Sequence, residues 1–404
     1  MVRGLSRVDI IDIESVECVG DIATEEFISI ARKILAKGGV DEPIVVVDGR
    51  VVNTSLCLAL KKLGVKRVPI SRDGAVRIFI PLEALGFYSD IKPNTMRVFR
   101  NSLELLYGNW PTPLVKLERL SLKGIDVWAK LEWYNPFSGS IKDRIAWYMF
   151  VQWIERHGPI AKLYEVSSGN TGLALASISA IHGASARIYL PSTAMKAVEV
   201  MLRVLGAEVV RSSKELTTDI LKDVEMEAIR DSAVMLNQFN NDANFEAHLR
   251  YTAKELDLQL REAGIVPRAI VAGTGTSGHL AALALYFKSR YGGYVKVFGV
   301  QPAPNNTIPG LRRANTGSKW LNYVDIDDLV DVTLEEAVRG SIEVARNEGL
   351  LIGLSSGAVV AGFRKLVESG VVESPGSAIL IFPDSGFKYV EVFETYIRNS
   401  MKTL

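Results

Sequence analysis

From Val127 onward, short apolar runs alternate with amphipathic segments of helical length, and this alternation limits the possible folds more than any other feature. The runs read VWAKLEW, LYEV, ARIYLP, AEVV, VMLNQF, AIVAGT, VKVFGVQP and AILIFPD. Strands that alternate with helices predict βα units on mainly parallel sheets, covered on both faces. Ligands bind such sheets at the carboxyl ends of the strands, so the turns that follow these runs are where a site is expected.

Residues 1–90 have a different pattern. We predict a helix near 24–37, a strand at 43–47, a helix at 54–64 and a short strand in KRVPI, which together form a small accessory α/β domain. Between residues 90 and 117 the regular pattern is interrupted by Pro93, Pro111 and Pro113. We therefore predict a domain boundary there and assign residues 91–404 to one larger region.

The overall charge and hydropathy exclude several classes of protein. Lys and Arg total 47 against 46 for Asp and Glu, so no global positive field would hold nucleic acid or an anionic membrane. No apolar stretch approaches the roughly 18 residues that a membrane span needs, and the N-terminal stretch MVRGLSRVDI carries charges where a signal peptide would be apolar. We expect a cytoplasmic protein with a small ligand and no nucleic-acid or membrane partner.

The cysteines and histidines give no metal site. Cys18 and Cys57 have no thiol at metal-ligand spacing, so we expect neither a zinc site nor a disulfide framework and interpret both as small core residues. The four histidines show no ligand pairing and are interpreted as structural, except that His279 lies beside a glycine-rich turn. No metal is expected.

Two glycine-rich turns follow predicted strands and begin predicted helices. The turn GTGTSGH, residues 273–279, follows AIVA, and successive N–H groups at such a helix start can hold a phosphate without a cationic side chain. The turn SSGNTG, residues 167–172, follows YEV and combines hydroxyls, an amide and backbone donors suited to a carboxylate or phenolate oxygen. Packing and ordinary N-capping are the alternatives for these two turns.

Two further turns complete the set. GLSSGA, residues 353–358, places Ser355 and Ser356 before a helix, and NPFSGSIKDR, residues 135–144, places Lys142 in a turn of small residues just before another helix. An anion cup, an amine able to form a Schiff base, a hydroxyl for a ring nitrogen and a loop for an amino-acid carboxylate together indicate pyridoxal 5'-phosphate as the cofactor.

The order and wording of these segments resemble the fold-type II pyridoxal-phosphate enzymes, and more narrowly the cysteine synthase group. The resemblance covers residues 110 to about 390 and rests on seven segments in the family's order: PTPLVKLERL, NPFSGSIKDR, SSGNTGLALA, LPSTAMKAVEVMLRVLGAEVV, NQFNNDANFEAH, GTGTSG and GLLIGLSSGA. It implies an α/β fold of two interleaved lobes with mainly parallel sheets, and a homodimer. Residues 1–90 resemble ParB-like and free-serine-kinase-like domains in VVNTSLCLALKKLGVKRVPI but lack a His-His-Arg turn; an unrelated accessory domain is the alternative.

The resemblance implies a role for each site residue. Lys142 would carry the cofactor and move the substrate's α-proton, Asn170 would bind the ring hydroxyl, and Ser355 would face the pyridine nitrogen. The cofactor phosphate would be bound by Gly273, Thr274, Gly275, Thr276 and Ser277. The substrate carboxylate would be bound by Ser167, Ser168, Gly169 and Thr171, aided by Gln238, for which capping of strand ends is the alternative role.

The implied reaction is β-replacement through an aminoacrylate, and the segment NNTIPGLRRANTG, residues 305–317, bears on its leaving group. Arginine suits bidentate phosphate binding, and IPGLRR with EWYNPFS and QFNNDANFEAH is similar to the archaeal O-phosphoserine sulfhydrylases. We therefore predict Arg312 as the ligand of the O-phospho-L-serine phosphate, with sulfide as nucleophile and L-cysteine as product.

Other interpretations of the same sequence remain open. Arg312 and Arg313 as a solvated surface pair is the alternative to phosphate binding. O-Acetyl-L-serine sulfhydrylase or cystathionine β-synthase activity is the alternative on the same scaffold, and a non-catalytic binding or regulatory protein is the alternative of another class.

Overall fold

The computed structural model describes residues 8–72, 74–91, 96–122, 124–215 and 217–401. The charged N-terminal stretch 1–7 and Pro93 of the predicted boundary lie outside these residues. The described α-helices are α1 (Thr24–Lys37), α2 (Thr54–Leu63), α3 (Ser102–Gly108), α4 (Lys142–His157), α5 (Asn170–His182), α6 (Lys196–Val204), α7 (Thr217–Arg230), α8 (Ala243–Ala247), α9 (Lys254–Glu262), α10 (Gly278–Tyr291), α11 (Leu334–Glu348), α12 (Leu354–Glu368) and α13 (Val390–Met401). A π-helical segment, His248–Ala253, joins α8 to α9.

The described strands are β1 (Val8–Asp12), β2 (Gly39–Val40), β3 (Ile44–Val47), β4 (Arg50–Val51), β5 (Arg67–Ser71), β6 (Ile80–Pro81), β7 (Leu114–Lys116), β8 (Ile125–Leu131), β9 (Lys162–Val166), β10 (Ser185–Leu190), β11 (Glu208–Arg211), β12 (Val234–Met235), β13 (Ala269–Gly273), β14 (Lys296–Pro302), β15 (Asp328–Val332) and β16 (Gly376–Phe382). Each of the eight apolar runs named above overlaps one of these strands.

Two mainly parallel sheets form the larger region. The first lobe has the parallel order β11-β10-β9-β12. The second has the order β15-β14-β13-β16-β8-β7, in which β7 is antiparallel to β8 and the other pairs are parallel. Because β7 and β8 lie in the second sheet while β9 to β12 form the first, the chain leaves the second lobe and returns to it. The predicted fold of two interleaved α/β lobes is confirmed.

The N-terminal elements form a small α/β unit with the sheet order β1-β5-β3-β4. Helix α1 buries Phe27, Ala31 and Ile34, which recur on one face, and it ends at Gly38, whose backbone has the left-handed φ of 68°. The predicted helices and strands of this block are confirmed within one or two residues. The boundary near residue 90 and the ParB-like resemblance stay predictions.

The N-terminal unit and the second lobe share one apolar core. Buried side chains of α1 and α2 belong to the same contiguous cluster as those of α9, α10 and the face of β13 that carries Ile270. Helix α1 lies against α10, the helix that begins at the GTGTSGH turn. The N-terminal unit therefore packs on the element that begins at the predicted phosphate cup.

The two cysteines correct one expectation. The sequence predicts small core residues without a disulfide framework, but the structure joins Cys18 to Cys57 in a disulfide with a Cα–Cα distance of 5.8 Å. Cys57 is buried on α2, and Cys18 is half-buried in the segment that precedes α1. The 39-residue separation gave no sequence signal for this pairing, because only the packing of that segment against α2 brings the thiols together.

Within the described part of the chain, no helix combines the length and the apolar character that crossing a bilayer requires.

Candidate active site

A cavity of about 330 Å³ opens at the carboxyl ends of strands from both sheets. Most of the predicted site residues line it: Lys142, Ser167, Ser168, Gly169, Asn170, Thr171, Gln238, Gly275, Thr276, Arg312 and Ser355. Three residues of the predicted phosphate cup, Gly273, Thr274 and Ser277, are buried behind the cavity wall. The turns that follow separate strands in the sequence therefore meet in one place.

The conformation of the lysine turn, residues 135–144, is held by Asp143, the residue after Lys142. The Asp143 carboxylate accepts the backbone N–H groups of Phe137 at 2.7 Å and Ser138 at 2.8 Å. Gly139 supplies the positive φ of 57° that the turn requires. Lys142 is thereby placed at the first position of α4, with its side chain in the cavity wall.

The environment of Lys142 favours its neutral amine. Burial lowers the pKa of Lys142 to about 8, and although the Asp384 carboxylate opposes this shift, the neighbouring Lys388 ammonium adds to it. About a tenth of this amine is therefore unprotonated at pH 7, far more than for a lysine of ordinary pKa. An unprotonated amine is the form that attacks a carbonyl or accepts a proton.

A buried ion cluster lies beneath the lysine turn. The Arg144 guanidinium donates to both Glu132 and Glu255, with Nε–Oε2 at 2.6 Å and Nη1–Oε2 at 3.0 Å respectively. Lys130 forms a 2.6 Å ion pair with Glu255. The cluster thus holds two cations and two carboxylates, all with fully buried side chains. These contacts explain why Lys130 and Arg144 are buried beside the cavity and do not line it.

The SSGNTG loop is held by its own hydroxyls. Ser167 Oγ accepts the backbone N–H groups of Gly169 at 3.0 Å and Gly172 at 2.9 Å. Thr171 donates its hydroxyl to Gln238 Oε1 at 2.6 Å, and Gln238 Nε2 donates to the Val166 carbonyl at 3.0 Å. Both ends of the Gln238 amide are therefore engaged within the protein, and its role toward the substrate stays a prediction.

The GTGTSGH turn contains polar side-chain atoms that have no hydrogen-bond partner among the described residues. Ser277 Oγ and His279 Nε2 are both buried without a hydrogen bond. Thr276 Oγ1 accepts from Asn244 Nδ2 at 2.9 Å, whereas the Thr274 hydroxyl is engaged by the carbonyls of Val300 and Arg312. Unpartnered polar atoms at the start of α10, where Gly275, Thr276 and His279 line the cavity, fit an anionic ligand such as a phosphate.

His279 stands beside Lys142 as a neutral imidazole. Burial and the Lys142 charge lower the pKa of His279 to about 3. Its ring lies edge-on to that of His248, with the centroids 5.7 Å apart, and burial also lowers the pKa of His248 well below its ordinary value. Both rings therefore add polar atoms to this side of the site without adding charge.

The two adjacent arginines have different environments. Arg313 donates to Asp331 Oδ1 at 3.1 Å and is neutralised there. Arg312 donates to the backbone carbonyls of Gly275 and Gly317, each at 2.8 Å, and its guanidinium lies over the Phe239 ring at 4.7 Å. No carboxylate of the described residues forms an ion pair with Arg312, and burial lowers its pKa to about 10.

Several cavity residues were missed by the sequence analysis. Lys388 and Tyr389 enter the cavity from the segment after β16, and Thr193, Glu215 and Thr217 line its first-lobe side. The segment PDSGFKY also follows the carboxyl end of a strand, so the rule that located the other turns would have found it. Asn244, which reaches Thr276 from α8, lies in the segment NQFNNDANFEAH that carried the family resemblance, but that segment gave no role for it.

Comparison with known proteins supplies the family. Residues 105–384 match the sequence profile described as "Pyridoxal-phosphate dependent enzyme". The chain belongs to this family. Pyridoxal phosphate is accordingly its cofactor, and the unpartnered His279 Nε2 at the start of α10, together with the Lys142 amine of lowered pKa in the cavity wall, fits that group.

Individual relatives cover the same region. The chain is 33% identical over 298 residues to cysteine synthase B of Salmonella typhimurium, a match that spans 72% of this chain and 94% of the relative. It is 35% identical over 325 residues to cystathionine beta-synthase of Saccharomyces cerevisiae, spanning 73% of this chain and 63% of that protein. This pyridoxal-phosphate dependent enzyme therefore has cysteine synthases among its relatives.

Solved structures of the family also superpose on this one. An O-ureido-L-serine synthase mutant with O-ureido-L-serine bound matches with a TM-score of 0.66 and 26% identity, covering 73% of this chain and 93% of that one. A hydrogen sulfide-producing enzyme from Fusobacterium nucleatum matches with a TM-score of 0.64 and 27% identity, covering 72% of this chain and 100% of that one. These matches place the interleaved lobes in the known fold of the family.

Proposed function

We propose that the protein makes L-cysteine from O-phospho-L-serine and sulfide by β-replacement. The C–O bond to phosphate breaks at the β-carbon, a C–S bond forms there, and inorganic phosphate leaves. The cysteine synthases among the relatives support the reaction class. The choice of phosphoserine rests on one observation, the half-buried Arg312 guanidinium without an ion-pair partner among the described residues.

Arg312 suits a phosphate because, within the described part of the chain, its guanidinium bonds to backbone carbonyls and to no carboxylate. Arg313, one residue later, already has Asp331 as its partner. A cation kept in a partly desolvated wall costs free energy unless an anion binds it, and a phosphate dianion would recover that cost. O-Acetyl-L-serine carries an uncharged leaving group and would leave the Arg312 charge unpaired.

Lys142 is the residue to which we assign the proton transfer. Its amine would carry the cofactor, then take the α-proton of the substrate once the substrate's own amine has replaced it. Bound pyridoxal phosphate supplies the electron sink that stabilises the α-carbanion. The lowered pKa of Lys142 keeps its released amine available as a base near neutral pH.

The other site residues are assigned to binding of the substrate and the cofactor. We assign the α-carboxylate to the SSGNTG loop, where the Ser168 hydroxyl and the backbone N–H groups of Asn170 and Thr171, the first two residues of α5, lie at the cavity. We assign the cofactor ring hydroxyl to Asn170 and the ring nitrogen to Ser355, which lines the cavity at the start of α12. A neutral hydroxyl at that nitrogen leaves the ring less protonated than a carboxylate would, which favours elimination over transamination.

The test compares two substrates on matched arginine variants. We would titrate the visible absorption of the bound cofactor with O-phospho-L-serine and with O-acetyl-L-serine, in wild type, Arg312→Ala, Arg312→Lys and Arg313→Ala. Arg312→Ala loses a charge-assisted hydrogen bond to the substrate. The phosphoserine concentration that gives half of the absorbance change should therefore be higher than in wild type, on the order of 10- to 100-fold. Arg312→Lys should lie between wild type and Arg312→Ala, and Arg313→Ala should resemble wild type.

The acetylserine response is the internal control, because it should be similar in all four proteins if the site remains folded. An equal phosphoserine response in wild type and Arg312→Ala would remove the phosphate-binding assignment. A preference for acetylserine in wild type would favour an O-acetylserine sulfhydrylase instead. Absence of a visible cofactor band in the purified protein would contradict the proposed enzyme activity itself.

We also infer a cytoplasmic homodimer that acts on small molecules. The homodimer rests on the resemblance to the fold-type II enzymes. The Cys18–Cys57 disulfide is compatible with a cytoplasmic location chiefly in hyperthermophiles, whose intracellular proteins are rich in disulfides. Light scattering of the purified protein tests the dimer, since a monomer mass would contradict it.

A further inference from the structure

Lys388 holds three separate segments of the cavity together. It lies in the 3-10 turn Gly386–Tyr389 after β16, and its side chain is only 10% exposed. Its Nζ donates to the Ser138 carbonyl of the lysine turn at 2.7 Å and to Asn170 Oδ1 at 2.5 Å. The same ammonium lies 3.7 Å from Asp384 Oδ2. One charged group thus joins the lysine turn, the start of α5 and the C-terminal segment.

The Asn170 amide is held at both of its ends. Its oxygen accepts from Lys388, and its Nδ2 donates to Asp384 Oδ2 at 2.8 Å. Asp384 Oδ2 also accepts the Tyr389 hydroxyl at 2.6 Å. A lysine ammonium is a donor only, so it fixes the amide with its oxygen toward Lys388. The amide nitrogen is then turned toward Asp384 and the Tyr389 hydroxyl, and both Asn170 and Tyr389 line the cavity.

We propose that Lys388 is a positioning residue of the cofactor site, which orients the Asn170 amide for donation into the cavity and keeps a second positive charge beside Lys142. This inference rests on the proposed function, because Asn170 and Lys142 have their roles from it. It goes beyond that function by assigning a task to a residue that contributes no reacting atom.

The groups around Lys388 make its charge relevant to Lys142. Asp384 is the carboxylate within 4 Å of Lys388, but it is shared with Asn170 and Tyr389, and its second oxygen, Oδ1, is buried without a partner. The Lys388 charge lowers the pKa of Lys142, whereas the charges of Asp384 and Glu132 raise it. Removal of the Lys388 charge should therefore make Lys142 harder to deprotonate.

The test measures how fast cofactor-stripped protein recovers its visible cofactor band, as a function of pH. Capture requires the unprotonated Lys142 amine, so the rate in wild type should rise with pH with a midpoint near 8. Lys388→Met should move this midpoint upward by roughly half a unit or more, since a neighbouring like charge is lost. Its affinity for the cofactor should also fall, because the Asn170 amide is free to rotate.

Lys388→Arg separates positioning from simple structural support. It keeps the charge and the donors, so its midpoint should return to that of wild type. Lys365→Met is the matched control, since Lys365 also donates to a backbone carbonyl, that of Asp331 at 2.9 Å, but lies outside the cavity. Thermal unfolding of the stripped proteins reports any general loss of stability.

A Lys388→Met protein with the wild-type midpoint and cofactor affinity would overturn the proposal. So would a Lys388→Arg protein with the midpoint and the cofactor affinity of Lys388→Met. Should Lys388→Met fail to fold, Lys388→Gln is measured in its place with the same expected shift. These outcomes are distinct from failure of the proposed function, in which wild type would bind cofactor but give no response to phosphoserine.

Discussion

Arg144 lies two residues after Lys142, yet it supports the site from below instead of entering it. Burial alone would raise the pKa of Glu132, but the Arg144 charge and hydrogen bonds lower it to about 2. Because this folded-state value lies below the ordinary value of 4.5, the stabilisation is complete above about pH 4.5. It should be lost progressively as the pH falls from there toward 2.

Arg144→Met is expected to leave two buried carboxylates with Lys130 as the single remaining cation of the cluster. Breaking a buried ion pair in this way should lower the free energy of unfolding by about 3–5 kcal/mol. Arg398→Met is the control, because Arg398 pairs with Glu394 on the surface and such pairs contribute about 1 kcal/mol or less. Urea unfolding of the two variants measures the difference, and equal losses would contradict the role of the cluster.

At the scale of single residues, the sequence predicted the parts of the site that occur within short motifs. Lys142, Asn170 and Arg312 lie in the cavity because each belongs to a turn after a strand. Lys388 was missed because the rule was not applied to the turn after β16, although this turn also follows the carboxyl end of a strand. Arg313 forms an ion pair, whereas Arg312 has no carboxylate partner among the described residues. This difference was only partly predictable, because Asp331, the partner of Arg313, comes from β15.

At the scale of elements, strands were predicted where apolar residues were consecutive and missed where they were not. The buried run of β13 was predicted, whereas β15 reads DLVDV, in which acidic residues interrupt the pattern. The run VMLNQF was predicted as a strand, and only Val234–Met235 pair in the sheet. Its polar end turns toward the cavity instead, where Gln238 holds Thr171.

The Cys18–Cys57 disulfide links two elements of the N-terminal unit, and its effect on stability can be measured. It ties the segment before α1 to α2 and closes a loop with a sequence separation of 39. In the chain-entropy description, closing such a loop stabilises the folded protein by about 4 kcal/mol. Cys18→Ser/Cys57→Ser should therefore unfold at lower denaturant than the oxidised wild type.

Reducing agent provides the control for this prediction. It should lower the denaturant midpoint of wild type toward that of the double variant and leave the variant unchanged. Thiol titration of the unfolded, unreduced wild type should find no free thiol. Two free thiols there, with the same midpoint in both proteins, would contradict the disulfide.

At the scale of the whole molecule, the N-terminal unit is joined to the second lobe by polar contacts as well as by the shared core. Lys254 of α9 is fully buried and donates to the carbonyls of Leu63 and Phe87. Tyr88 donates to Asp257 Oδ2 at 2.9 Å, on the same helix. These contacts would be lost if the unit separated from the lobe, so we expect the two to unfold together.

Joint unfolding can be followed with separate reporters. All six tryptophans lie between residues 110 and 320, so tryptophan fluorescence reports the larger region, while hydrogen exchange of α1 amides reports the N-terminal unit. We predict coincident transitions in urea. Exposure of the α1 amides at clearly lower urea would show an independently unfolding domain and would contradict joint unfolding.

The measurement that tests the central claim most directly is product formation with two competing donors. Purified holoenzyme would receive sulfide with equal concentrations of O-phospho-L-serine and O-acetyl-L-serine, and released phosphate, released acetate and L-cysteine would be quantified together. We predict cysteine formation matched mole for mole mainly by phosphate, with that preference lost in Arg312→Ala. Cysteine matched by acetate in wild type, or no cysteine from phosphoserine alone, would contradict the account.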